Sequence, residues 1–189
     1  MTNGLGEVNP VPVRAVASTL LLVGFVFSAC DLVAQDEPKL VPDTVSFEKL
    51  LPILPEAPTG WTAEKPEGST TDAAGAKITT VHRDYKKGDA DNVPTTSISI
   101  IDAAANPEMV SATTSNWNFT QTTTEGYAKS LNVDGQPGFE TYENEGKHGS
   151  LWLLVEKRYL LQIDLNGQEA KELQEWLKRV DLKKLAAVK

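Results

Sequence analysis

The stretch from Gly126 to Leu165 constrains this chain more than any other. Four segments rich in β-branched, aromatic and aliphatic residues, Gly126–Val133, Pro137–Glu143, Ser150–Glu156 and Tyr159–Leu165, are separated by Asp134-Gly135, Asn144-Glu145-Gly146 and Lys157-Arg158. Connections this short join antiparallel neighbours, so the four segments predict a meander of three successive hairpins. Leu151, Leu153 and Val155 alternate with Trp152 and Leu154, which makes the third segment apolar on both faces. That pattern predicts a strand in the middle of the sheet, covered on both sides.

Two more strands are legible upstream. Ile78–Tyr85 is β-branched and aromatic, and Thr95–Ile101 alternates Ile98 and Ile100 with Ser97 and Ser99. Residues 86–92 between them read as a hairpin loop, and residues 64–76, made of Gly, Ser, Thr, Ala and charged residues, read as a longer loop. Ser46 is placed to cap a short helix through Leu51, after which Pro52, Pro55 and Pro58 stiffen the chain as far as Gly60-Trp61. Asn106-Pro107 has the form of an N-cap and first helical residue, opening a helix to about Ser115. Leu173, Trp176, Leu177 and Val180 fall at i, i+3, i+4 and i+7, predicting a helix over Gln168–Val180 with a Glu175–Arg179 pair on its polar face. Asp181 caps a last helix, Leu182–Val188. The order of elements predicts an α+β domain with an antiparallel sheet of about six strands and helices packed on it, an α/β/α sandwich.

Charge narrows the function classes. The chain of 189 residues carries 18 Lys plus Arg against 26 Asp plus Glu, a formal net charge of −8. A nucleic-acid surface needs clustered basic residues, which this balance does not supply. One cysteine rules out an intrachain disulfide framework and a thiolate zinc cluster.

The position of that cysteine is informative. Behind Arg14, residues 15–29 carry no charge, and Leu20–Phe27 is continuously apolar apart from Gly24. The run is shorter than the roughly 20 residues that span a bilayer, and Asp31 closes it, which is the anatomy of a signal peptide. It ends in Val26-Phe27-Ser28-Ala29-Cys30, which resembles the lipobox of bacterial lipoproteins, with Phe27 where Leu is most typical. The resemblance implies cleavage before Cys30 and diacylglycerol on its thiol, often with further acylation of the new amino group. An uncleaved anchor or an ordinary secretory signal is the alternative reading of the same run. Asp31 resembles the inner-membrane retention signal of enteric lipoproteins and so favours that membrane.

Residues 30–44 then read as the lipidated Cys and a flexible linker. The stretch from Asp31 to Thr44 contains Pro38 and Pro42 and carries a charge of −3, and fully extended it reaches roughly 45 Å. The folded domain is expected over residues 45–189 and carries −5. Its element order is similar to the small α/β/α sandwiches of the Mog1/PsbP type, found in photosystem accessory proteins and in many bacterial lipoproteins. That resemblance implies a binding or assembly module and no enzyme.

No catalytic constellation stands out. His82-Arg83-Asp84 copies three residues of a kinase catalytic loop but lies in a predicted strand without the following Asn. His148 sits in a turn, and Ser150 lacks the flanking glycines of a nucleophile elbow. Glu143 and Glu145 lie beside a turn with nothing to bury either. Asp84, Asp89, Asp91 and Asn92 form an oxygen-rich hairpin tip, but Val93 and Pro94 break a calcium-loop pattern. No metal site and no cofactor are expected. Trp117 and Phe119, two apart in a polar run of Asn and Thr, are the candidate partner contact. The same residues can instead cover the end of the sheet beneath the loop. The expectation is a membrane-anchored, extracytoplasmic, non-enzymatic accessory subunit of an envelope or membrane protein complex. The alternative is a lipoprotein that binds a small ligand or cation near the Asp89 hairpin or the Trp117 loop.

Overall fold

The computed structural model describes residues 43–73, 76–90 and 92–189, which belong to one compact unit. Cys30, the signal-like run, Asp31, nearly all of the linker and Asp91 lie outside the described residues. In chain order the strands are β1 (Thr62–Ala63), β2 (Glu67–Ala73), β3 (Ala76–Lys86), β4 (Thr95–Asp102), β5 (Gln121–Thr122), β6 (Gly126–Val133), β7 (Gln136–Glu143), β8 (His148–Val155) and β9 (Tyr159–Asn166). The helices are α1 (Phe47–Leu50), continued by a 3-10 turn at Leu51–Ile53, α2 (Pro107–Thr114), α3 (Glu172–Leu177) and α4 (Leu182–Ala187).

All nine strands join one antiparallel sheet in the order β1-β3-β4-β9-β8-β7-β6-β5, with β2 also on β3. β6 to β9 form the meander that their turns predict, and β9 then pairs with β4 to join the two halves. The fold is therefore predominantly antiparallel sheet with few, short helices. The count of about six strands is corrected to nine. The three added strands are the two-residue β1 and β5 and the seven-residue β2, which falls in the stretch read as a loop. Glu67–Ala73 has no large apolar residue, and it is held extended by backbone pairing along the outer edge of β3 from Ala76 to His82. An edge strand of this kind carries little hydrophobic signature of its own.

Alternation divides the sheet into two unequal faces. On one lie Val81, Tyr85, Ile98, Ile100, Leu151, Leu153, Leu161, Ile163 and Leu165, all buried. These pack with Leu50, Ile53, Leu173, Trp176 and Leu185 from the helical segments to form the main core. Full burial of each such side chain is worth about 1.5–3 kcal/mol against exposure, so this face holds the domain together. The sheet is tightly packed at Gly138, where a Cβ would lie 2.5 Å from the Trp152 carbonyl oxygen.

α3 is shorter than the periodicity predicts. The segment before it is diverted because the Gln168 side chain is used as a staple. Its amide donates to Thr95 O (2.6 Å) and Thr96 Oγ1 (2.8 Å), and its carbonyl accepts the Trp176 indole N–H (3.2 Å). The expected Glu175–Arg179 pair is also replaced. Glu175 takes Lys178 at 2.7 Å, while the Arg179 guanidinium lies over the Trp176 ring, 5.8 Å from its centre. Of the three helix caps read from the sequence, two form, with Asn106 accepting from Met109 N and Asp181 from Lys184 N, whereas Ser46 precedes α1 without a side-chain cap hydrogen bond.

A buried ion pair fixes the start of the domain. Asp102, at the end of β4, is fully buried and accepts from Arg158 Nε (2.9 Å) and NH2 (2.7 Å), from Val45 N (2.7 Å) and from Ala104 N (3.1 Å). Arg158 also donates to Asp43 O at 3.0 Å. It stands just after Glu156 and Lys157, both left-handed at φ 53° and 54°. Non-glycine residues there are strained by about 1–3 kcal/mol each, which the Asp102 grip offsets.

Candidate functional site

Among the described residues, the second face of the sheet is the part of the domain left open. β-pairing places Asp84, Ser97, Asp164, Ser150 and Thr141 in one row across β3, β4, β9, β8 and β7. The next row is His82, Ser99, Gln162, Trp152 and Phe139, followed by Ser130 on β6. Each of these positions keeps some exposure to solvent. At one corner the face turns apolar, and Ile101, Leu154, Leu160 and Trp152 are covered there by Ala103, Met109, Val110 and Trp117. α2 therefore shields only that corner, and serine, threonine, glutamine and aspartate tile the remainder. The alternation of Ile with Ser in β4 was the local signal for it.

The two members of the proposed aromatic contact are separated by the fold. Trp117 is 9% exposed and packs over Leu154 and Leu160, so it belongs to the second core cluster. Phe119 is 45% exposed, the one large hydrophobic so exposed among the described residues. Ser130 Oγ ties both to the sheet, donating to Trp117 O at 2.6 Å and reaching Phe119 O at 3.2 Å. The Phe119 ring leans on Phe139, 5.5 Å between centres and tilted by 40°. Phe139 lies opposite Trp152 in the β7–β8 register, so Phe119, Phe139 and Trp152 form an aromatic ridge along the border of the covered corner. Trp152 is thus only partly in the core, where the sequence placed it entirely.

The other half of the face is acidic. Asp84 and Asp164 flank Ser97, two strand spacings apart, or about 9.6 Å between Cα atoms. Asp164 accepts from Ser150 Oγ and from Gln162 Nε2, both at 2.6 Å. Among the described residues neither Asp84 nor Asp164 is in an ion pair. A hollow of about 320 Å³ opens at the base of the β3–β4 hairpin and includes both carboxylates, with Glu64, Lys86, Ser97 and Asn166 around them.

Sequence-level candidates elsewhere are dispersed. His82 reaches only Glu67, at 3.8 Å, and His148 Nδ1 shares a hydrogen bond of 2.8 Å with Asn166 Oδ1. Among the described residues no group of three His, Cys, Asp or Glu side chains could hold a metal ion. One buried polar cluster was not foreseen. Glu140, 1% exposed on the helix face, accepts from Tyr127 OH and Gln174 Nε2 and pairs with Lys129 Nζ at 3.0 Å. Burial, and then the bond to Glu140, pushes the Tyr127 phenol well above its ordinary range. All three of these partners belong to the fold itself, which makes the cluster a clasp between β6, β7 and α3.

No described helix is long and apolar enough to cross a membrane. No family model, curated protein or solved structure matches the chain.

Proposed function

We propose that this chain is a lipid-anchored, extracytoplasmic accessory subunit that docks on a protein of a membrane or envelope complex, without catalysis of its own. The observation that carries the reading is the open sheet face with Phe119 at its border. A half-exposed phenylalanine leaning on a second aromatic ring, beside an uncovered row of hydroxyls and amides, has the composition of an interface: an apolar anchor with a polar surround. The lipobox-like run ending at Cys30 supports the anchor. Each acyl CH₂ buried in a membrane contributes about 0.8 kcal/mol, so two chains suffice to hold a small domain there. With α1, α3 and α4 on one face and α2 on the other, the architecture is consistent with a reduced α/β/α sandwich of the Mog1/PsbP kind.

The test is affinity recovery from detergent-solubilised membranes, joined to mass spectrometry of the mature amino terminus. A diacylated Cys30 and a stoichiometric partner are expected. An unmodified Cys30 refutes the anchor, and consistent recovery of the chain alone refutes the accessory role. The hollow between Asp84 and Asp164 favours a second reading, a lipoprotein that captures a small cationic ligand. Calorimetry with small amines at constant ionic strength separates the two.

A further inference from the structure

We propose that the open face docks a basic, extended segment of a partner protein, seating an apolar side chain on the Phe119–Phe139–Trp152 ridge and a Lys or Arg between Asp84 and Asp164. The inference rests on the docking reading and adds the chemistry of the partner.

Charge complementarity selects the occupant. Three carboxylates, Glu64, Asp84 and Asp164, against the single ammonium of Lys86 surround the hollow, and the domain from Val45 carries −5. An anionic headgroup layer or a nucleic acid is repelled by such a face, while a basic segment is drawn to it. Asp84 and Asp164 are set far enough apart to admit one guanidinium or ammonium between them, and both lack a cation of their own among the described residues. The hydroxyls of Ser97 and Ser99 beneath can accept from its remaining N–H groups. At the other end, aromatic rings provide the apolar anchorage that charge alone lacks.

Sheet geometry also sets the spacing. Ser97, beneath the cation, is two strands and two residues from Trp152, a separation of about 12 Å. An extended chain rises about 3.3 Å per residue and shows alternate side chains to one side, so the anchor and the cation are four residues apart. Three residues would turn one of them away.

The experiment measures fluorescence anisotropy of labelled peptides with the full chain in detergent. The probe is a short Thr/Val peptide carrying Trp and, four residues on, Arg; the controls carry Glu in place of Arg, or Arg only three residues on. The Arg probe is expected to bind at least tenfold tighter than the Glu control, to weaken with added NaCl, and to lose its advantage when Asp84→Asn and Asp164→Asn are combined. Thermal melts confirm that the near-isosteric double variant is folded. Equal binding of the Arg and Glu peptides, or an unaffected double variant, overturns the proposal. If that happens while Phe119→Ser still abolishes partner recovery from membranes, the charge assignment alone has failed. If no substitution on the face alters recovery, the docking reading has failed with it.

Discussion

Trp117 and Phe119 stand two residues apart in a polar run, and their replacement by serine should have opposite consequences. Trp117 is 9% exposed and packed on Leu154 and Leu160. Truncating a buried tryptophan costs about 3–5 kcal/mol, and a domain of this size loses about 2–4 °C of melting temperature per kcal/mol, so Trp117→Ser should melt roughly 6–20 °C lower. Phe119 keeps almost half of its surface in water. It contributes about half of the ~1.5–3 kcal/mol of a fully buried side chain, plus the lower end of the ~0.5–1.5 kcal/mol of an aromatic pair with Phe139. Phe119→Ser should therefore lose only about 1–2 kcal/mol. Urea unfolding followed by far-UV circular dichroism measures both, with an unchanged slope confirming that the same surface is exposed. Partner recovery should be lost in the folded Phe119→Ser protein. If the two variants lose equal stability, Phe119 is a core residue and the interface argument collapses.

Asp102→Ala removes the acceptor for Arg158 and Val45 N, and should cost about 3 kcal/mol because a partly buried cation and a buried backbone N–H are stranded together; a loss below about 1 kcal/mol in urea unfolding would show that the pair is not structural. The paired change Asp102→Leu with Arg158→Met should recover part of that loss. The tyrosines predict alkaline instability. Burial pushes Tyr85 up to about 12 and also raises Tyr127, Tyr142 and Tyr159. The native state thus holds these protons more tightly than the unfolded chain, so stability is level below pH 10 and falls as pH rises toward 12. Absorbance at the tyrosinate band should rise together with unfolding, and a separate transition near pH 10 with the fold intact would contradict this.

How much of this was legible in the sequence depended on what holds each element. β6 to β9 were readable because dense apolar residues and short turns act locally, and the structure moves their ends by no more than two residues. β2 was unreadable because Glu67–Ala73 is extended only through its pairing with β3. The first turn expected of α3 was absent because Gln168 makes hydrogen bonds to β4, more than seventy residues distant in sequence. The open face was half legible. Ser97 and Ser99 announced a polar side to β4, but only pairing register could bring Asp84 and Asp164 to either side of Ser97. Nothing local separates Trp117 from Phe119, since the Ser130 tether that fixes them comes from another strand.

The central claim, that the open face is where a partner sits, is tested most directly by photocrosslinking in intact membranes. A benzophenone amino acid replaces Phe119 in one protein and Lys178, exposed on the helix face just after α3, in another. Docking through the open face predicts one discrete protein adduct from position 119 and none from position 178. Equal adducts from both positions, or lipid adducts alone from position 119, would contradict it.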